Sequence, residues 1–143
     1  MTISQADAQL LDLLREDARA STAALARRLG VSRTTVQSRI ERLQHSGIIA
    51  GYTVRLGQAM ERQQVRAHIS ITVMPKKMPA VVRALHAIAA VRSLHSVSGV
   101  HDLVAMAAVD GVAAMDELTD AIGAIDGVER TTTAVILGTK FER

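Results

Sequence analysis

Arginines are concentrated in one short stretch of the sequence. Residues 25–49 read LARRLGVSRTTVQSRIERLQHSGII, and within them residues 27–42 carry a local charge of +4, since Glu41 is the only acid there. The whole chain of 143 residues carries only +3, so the basic excess is local. Such a concentration is typical of a surface that binds a polyanion, although a solvated helix face without a partner is the alternative. The cations are Arg27, Arg28, Arg33, Arg39 and Arg42.

The turn Ser98-Gly99-Val100-His101-Asp102 is the second stretch that could do chemistry. Gly99 permits a left-handed backbone that exposes N–H groups, and such groups can receive a carboxylate. Asp102 can receive an ammonium group. One short loop can therefore meet both charges of a free amino acid, whereas an ordinary hairpin turn capped by Asp102 is the other interpretation.

The composition excludes several classes of site. There is no cysteine, which excludes disulfides, thiolate metal sites and cysteine nucleophiles. His95, His101 and Asp102 are close in sequence, but adjacent strand residues point to opposite faces and further zinc ligands are not evident. No catalytic motif is present, so we predict no enzyme activity, no metal and no cofactor.

The sequence also predicts where the protein resides. No apolar run approaches the roughly 20 residues that span a bilayer, and the N-terminal MTISQADAQ lacks the basic and apolar regions of a signal peptide. Hydrophobic residues make up 48% of the chain, as in packed globular proteins. The expected location is the cytoplasm, in association with the nucleoid.

Three short helices are predicted to position the arginines. Residues 6–17 place leucines at helical spacing, Ser21 and Thr22 can cap a second helix, and Ser32 can cap a third. Gly30 suits the left-handed end of the second helix, and the tight turn after it makes the last two helices cross steeply, as in a helix-turn-helix. The inward positions of the third helix are Val36, Ile40 and Leu43.

The rest of the sequence alternates strands and helices. Residues 48–56 are predicted to form a strand and residues 57–65 a polar linker. The later elements have the order β-α-β-β-α-β of a ferredoxin-like fold: strand 66–74, helix 79–90, strands 92–98 and 102–109, helix 112–123 and strand 129–138. The inward residues of the two helices are predicted to be Val81, Val82, Leu85 and Ile88, then Val112, Met115, Leu118 and Ile122.

These motifs resemble the leucine-responsive and asparagine-responsive (Lrp/AsnC) family of transcription regulators over nearly the whole chain. The resemblance rests on LARRLGVSRTTVQSRIERLQHSGIIAGYTV, on SGVHDL and on TTTAVIL. It implies an α+β fold with an N-terminal helix-turn-helix domain (1–50), a hinge strand and linker (51–65) and a C-terminal ferredoxin-like domain (66–143) for effector binding and oligomerisation. It also implies a homodimer that assembles to a tetramer or octamer, with double-stranded DNA and an amino acid effector as partners.

The helix-turn-helix geometry places the third helix in the major groove, with its N-terminal residues nearest the base edges. Arg33 could pair with guanine and Gln37 with adenine, and the short hydroxyls suit phosphates or base edges. The two arginines before the turn are predicted to contact the DNA backbone. Arg39 is assigned either to a phosphate or to an acid such as Asp17. The predicted DNA-binding residues are Arg27, Arg28, Ser32, Arg33, Thr34, Thr35, Gln37, Ser38, Arg39 and Arg42.

The resemblance places the effector near the Gly-x-x-Asp turn, between dimers. His101 stands where the family often has an aromatic residue. The predicted effector-binding residues are Gly99, Val100, His101, Asp102, Leu103, Thr131, Thr132 and Thr133. On the strand at 68–74, the face that carries His68, Ser70, Thr72 and Met74 is predicted to be a dimer interface, with a solvent-exposed face as the alternative.

Two other functions fit the same fold. One is a ligand-independent architectural DNA-binding protein, and the other is an enzyme similar to haem-biosynthesis decarboxylases, whose helix-turn-helix no longer reads DNA. The intact basic turn favours DNA binding over the enzyme.

Overall fold

The computed structural model describes residues 3–61 and 63–141, and for Gln58 and Glu61 it describes the backbone alone. The chain divides into two compact units, of which one ends at Arg55 and the other begins at Leu56. The predicted linker and C-terminal domain include Arg62, Glu142 and Arg143, which lie outside the described residues.

Three helices form the N-terminal unit: α1 (Gln5–Glu16), α2 (Thr22–Leu29) and α3 (Arg33–His45). Ser21 and Ser32 cap α2 and α3 as predicted, since each hydroxyl accepts the backbone N–H three residues later at 3.1 Å. Gly30 ends α2 with φ of 65°, a left-handed conformation that glycine adopts at little cost. These local signals fix both sides of the tight turn.

One apolar cluster holds these helices together. Val36 and Leu43 of α3 are fully buried, and Ile40 packs against the cluster half-buried, so the predicted inward face of α3 is confirmed. The other buried members are Leu10, Leu25 and Ala26.

The predicted strand at 48–56 is not formed in the structure. Residues 50–57 have no regular secondary structure, and the alternating side chains Tyr52, Val54 and Leu56 are exposed. A strand needs a hydrogen-bonded neighbour, and the described residues of this chain supply none. A single helical turn, α4 (Gln58–Glu61), follows.

The C-terminal unit has the predicted ferredoxin-like order of elements. Most of its strands begin and end one or two residues away from the predicted positions. Its sheet has the order β2-β3-β1-β4 with every described pair antiparallel. A short 3₁₀ turn, Pro75–Lys77, precedes α5. The elements are β1 (Val65–Val73), α5 (Met78–His86), β2 (Val91–Ser96), β3 (Leu103–Val109), α6 (Val112–Gly123) and β4 (Val128–Ile136).

Both helices of this unit contribute to a core on one side of the sheet. Ile69, Ile71 and Val73 of β1 are buried there, as the alternation predicts, together with residues of α5 and α6. The opposite side of the sheet is called here the open sheet face. Among the described residues, those on the open sheet face take no part in this core. The residues of this face are Arg66, His68, Ser70 and Thr72 of β1, Ser93 and His95 of β2, Val104, Met106 and Ala108 of β3, and Arg130, Thr132, Ala134 and Ile136 of β4.

Two helix predictions were wrong in detail. The helix predicted over 79–90 starts at Met78 and ends at His86. Ile88 therefore lies in the turn that leads to β2, where it still packs against the core as predicted. Val82 is 37% exposed and Val112 is 76% exposed, although both were predicted to face inward. Val112 is the first residue of α6, and its side chain takes no part in the core of this unit. No helix of the described residues is long and apolar enough to cross a membrane.

Candidate DNA-binding and effector sites

The outer face of α3 is polar and exposed. Its side chains Arg33, Thr34, Gln37 and Ser38 all lie in solvent, on the side away from the buried Val36. Arg33 is the first residue of the helix and adjoins the turn at Gly30. The structure therefore brings the predicted base-reading residues together on one exposed surface.

Three arginines around this turn form no ion pair with any residue in 3–61 or 63–141. Arg27 and Arg33 are exposed, and Arg39 is half-buried. An open groove lies between α2 and the start of α3, and both Arg27 and Arg33 line it. Uncompensated guanidinium groups beside a groove attract phosphate oxygens, which accept bidentate hydrogen bonds from arginine.

The other two arginines of the basic stretch are already paired. Arg28 donates to Glu16 at 2.8 Å, but both side chains are largely exposed and such pairs exchange partners at little cost. Arg42 donates to Asp7 at 2.7 Å, and Asp7 is 3% exposed. Arg42 was predicted to contact DNA; in the structure it joins the end of α3 to α1. Asp17, the example given of an acid for Arg39, makes no pair with it in the described chain, but the charge of Arg39 acts on the buried Asp7 of the same unit.

Sequence reasoning missed Asp7. It lies three residues before the buried Leu10, on the same stripe of α1, and three residues after the capping Ser4. That spacing could have identified an inward carboxylate. Ser4 donates to Asp7 at 2.6 Å, and this hydrogen bond is the largest cause of the lowered pKa of Asp7. Arg42 and the charge of Arg39 lower the pKa further, whereas burial opposes them.

Three of the predicted DNA contacts have structural roles as well. Ser32 Oγ accepts the Thr35 N–H and lies 2.8 Å from Thr35 Oγ1, so these hydroxyls hold the start of α3. Gln37 Nε2 donates to Glu41 Oε1 at 3.0 Å across one turn of the exposed face. Glu41 is the only carboxylate on that face of α3.

The predicted effector turn lies between β2 and β3. Gly99 has φ of 123°, and Gly99 and Val100 are exposed. Asp102 Oδ2 accepts the Val73 N–H at 2.8 Å, so the carboxylate holds the turn against the end of β1. His101 Nδ1 lies 3.2 Å from Thr72 Oγ1, and Leu103, the first residue of β3, is buried.

The threonines of β4 do not converge. Thr132 pairs with Ser70 on the open sheet face, whereas Thr131 and Thr133 pair with Ile71 and Ile69 on the helix side. Thr133 Oγ1 lies 3.5 Å from Thr119 Oγ1 of α6. The expectation that all three hydroxyls complete one site is therefore wrong, because strand alternation separates them. The same alternation could have been read from the sequence.

Two family models match the chain. The AsnC-type helix-turn-helix domain matches residues 3–44, and the Lrp/AsnC ligand binding domain matches residues 66–143. The transcriptional regulator LrpA of Pyrococcus horikoshii is 34% identical over 136 residues, which cover 94% of this chain and 96% of the relative.

Solved structures agree over almost the full length. AsnC of E. coli superposes with a TM-score of 0.90 at 25% identity and covers 100% of this chain and 97% of its own. A feast or famine regulatory protein of M. tuberculosis, complexed with L-methionine, superposes with a TM-score of 0.86 at 31% identity, covering 99% and 96%.

Proposed function

The chain belongs to the Lrp/AsnC family of transcriptional regulators, and on that premise we propose that it binds specific DNA sites through α3 as a homodimer, under the control of an amino acid. It is a DNA-binding regulator with a helix-turn-helix domain and a ligand-binding domain. The specificity, the assembly and the control by an effector are the proposal.

Unpaired arginine charge at the helix-turn-helix carries the DNA-binding part of the proposal. Arg27 and Arg33 have no carboxylate partner among the described residues and flank a turn whose two sides are fixed by Ser32 and Gly30. Arg39 forms no ion pair there, but its charge acts on the carboxylate of Asp7. Arg33, at the N-terminus of α3, is assigned to a base edge, because N-terminal residues of a recognition helix lie deepest in the groove. Arg27 and Arg39 are assigned to phosphates.

Binding titrations with two kinds of duplex test these assignments. The wild-type protein first selects its duplex from a random pool, and a scrambled duplex of the same composition serves as reference. Arg33→Ala is expected to weaken binding to the selected duplex about tenfold or more while changing the scrambled one little. Arg27→Ala is expected to weaken both alike. Arg15→Ala, on an exposed pair of α1, is the control. Equal losses for Arg27→Ala and Arg33→Ala on both duplexes would contradict the assignment.

The Gly99–Asp102 turn is the proposed effector site. Its exposed backbone offers N–H groups, and Asp102 Oδ1 accepts no hydrogen bond from the described residues, so it remains available for an ammonium group. The L-methionine complex of the M. tuberculosis relative supports a small amino acid as ligand. Control of DNA binding requires that this ligand bind one assembly state better than another.

Calorimetry with a panel of amino acids, L-methionine included, tests the effector. Asp102→Asn keeps a side-chain oxygen for the Val73 N–H but removes the charge, so it should retain the fold and lose about tenfold or more in affinity. Asp110→Asn, at an exposed carboxylate that accepts a hydrogen bond from Gln64 at 3.4 Å, is the matched control. Absence of heat with every amino acid would favour the architectural DNA-binding protein instead.

A further inference from the structure

An acid on the DNA-facing surface of α3 needs an explanation. Glu41 is exposed on the same face as Arg33 and Gln37 and forms no ion pair within residues 3–61 and 63–141. A carboxylate there is repelled by every phosphate of a duplex, so it lowers affinity for all DNA. Its side chain makes one described contact, which is the hydrogen bond from Gln37 Nε2 to Oε1 at 3.0 Å.

That contact fixes which way the Gln37 carboxamide points. A carboxylate only accepts hydrogen bonds, so the atom that faces Glu41 must be the nitrogen of the amide. The amide nitrogen has two hydrogens. One hydrogen shares an edge with the amide oxygen and the other points away from it. When the hydrogen that points away bonds Glu41, the remaining hydrogen and the amide oxygen stay side by side on one edge.

The remaining edge of Gln37 has one donor next to one acceptor, and adenine offers the complement. In the major groove adenine presents N7 as acceptor and N6–H₂ as donor, whereas guanine presents two acceptors. A carboxamide that can rotate by half a turn presents its donor and acceptor in either order. The carboxamide held by Glu41 presents them in a single order.

We propose that Glu41 is a specificity-determining positioning residue, which holds Gln37 in the orientation that reads adenine. The inference rests on the proposed entry of α3 into the major groove. Glu41 thus lowers the affinity for all DNA and raises the discrimination between bases at one base pair. The two effects have opposite signs and can be measured separately.

The test uses the duplex that the wild-type protein selects from a random pool. Gln37→Ala identifies the base pair that Gln37 reads, as the position where base preference disappears. At that pair, adenine is compared with 7-deazaadenine, which lacks the N7 acceptor. The wild-type protein is expected to bind the adenine duplex about tenfold more tightly.

Three variants separate positioning from charge. Glu41→Ala should reduce the adenine preference to less than about threefold and should raise affinity for a scrambled duplex. Glu41→Gln keeps a side-chain oxygen as acceptor, so it should retain the preference while also raising scrambled-duplex affinity. Glu16→Ala removes an exposed acid of α1 that pairs with Arg28, and it should leave the preference unchanged.

The outcomes are distinct. An unchanged adenine preference in Glu41→Ala would overturn the inference, as would a Glu41→Gln variant that loses as much preference as Glu41→Ala. A wild-type protein that enriches no duplex would contradict the proposed function, and the inference would fail with it. Thermal melting of each variant shows that a lost preference does not reflect a lost fold.

Discussion

Asp7 shows how one buried carboxylate can position a recognition helix. It lies in α1, and its two oxygens are used by Ser4 at 2.6 Å and by Arg42 of α3 at 2.7 Å. The pair joins residues 35 positions apart in sequence, and therefore no local pattern predicts its partner. Arg42 therefore joins α3 to α1, and its predicted contact with DNA stays a prediction.

Replacing Asp7 by Asn should destabilise the N-terminal unit. The variant keeps nearly the same volume but loses the charge that pairs with Arg42, so we expect a loss of about 1–3 kcal/mol in the free energy of unfolding. Denaturant titration followed by circular dichroism measures it. Asp12→Asn, in an exposed pair with Arg15, should cost much less, and an equal cost for both variants would contradict the role of Asp7.

The same residue predicts a dependence of stability on pH. The hydrogen bond from Ser4, followed by Arg42, lowers the pKa of Asp7 in the folded state. Its contribution is therefore fully present above the unfolded aspartate pKa of about 3.9 and is lost as the pH falls through the lower folded value. Unfolding free energies measured between pH 6 and pH 2 should fall less steeply for Asp7→Asn than for the wild type. Parallel curves would show that Asp7 has an ordinary pKa.

At the scale of elements, the start of α3 depends on one hydroxyl. Ser32→Ala removes the N-cap and should lower the unfolding free energy by about 1 kcal/mol. Ser32→Asp can still accept the Thr35 N–H and should retain stability, but its negative charge beside the groove should weaken DNA binding. Thr34→Ala, exposed and not part of the cap, should leave stability unchanged. A stable Ser32→Ala variant would contradict the capping role.

Local signals explain why most elements could be predicted from the sequence. The caps at Ser21 and Ser32, the left-handed Gly30 and the alternation of β1 are determined by near neighbours. What could not be predicted depends on distant contacts. The carboxylate of Asp102 holds the Val73 N–H across 29 positions, a contact that the spacing of the turn does not reveal.

The segment at 48–56 shows the limit of periodicity. Tyr52, Val54 and Leu56 alternate as in a strand, yet the described chain gives them no partner and leaves them exposed. Alternation reports that a segment can pair, whereas pairing itself requires a second strand.

At the scale of the whole molecule, the open sheet face is the proposed dimer interface. Met106 is half-buried there and pairs in register with His68 of β1. Met106→Arg would bury an unpaired charge between two copies, so we expect dimer dissociation to increase at least about tenfold. Sedimentation equilibrium measures the change.

The control for that variant is Val82→Arg. Val82 is also apolar, but it is exposed on α5, the helix on the other side of the sheet. It should leave the dimer intact. If both variants, or neither, weaken self-association, then the open sheet face is not the interface that the proposal requires.

The salt dependence of duplex binding tests the central claim most directly. In a dimer, Arg27 and Arg39 together supply four phosphate contacts, so Arg27→Ala/Arg39→Ala should flatten the plot of log affinity against log salt by about 4. Arg83→Ala/Arg92→Ala removes the same charge from the C-terminal unit and should leave the slope unchanged. Equal slopes for the two double variants, or wild-type binding that ignores salt, would contradict the account.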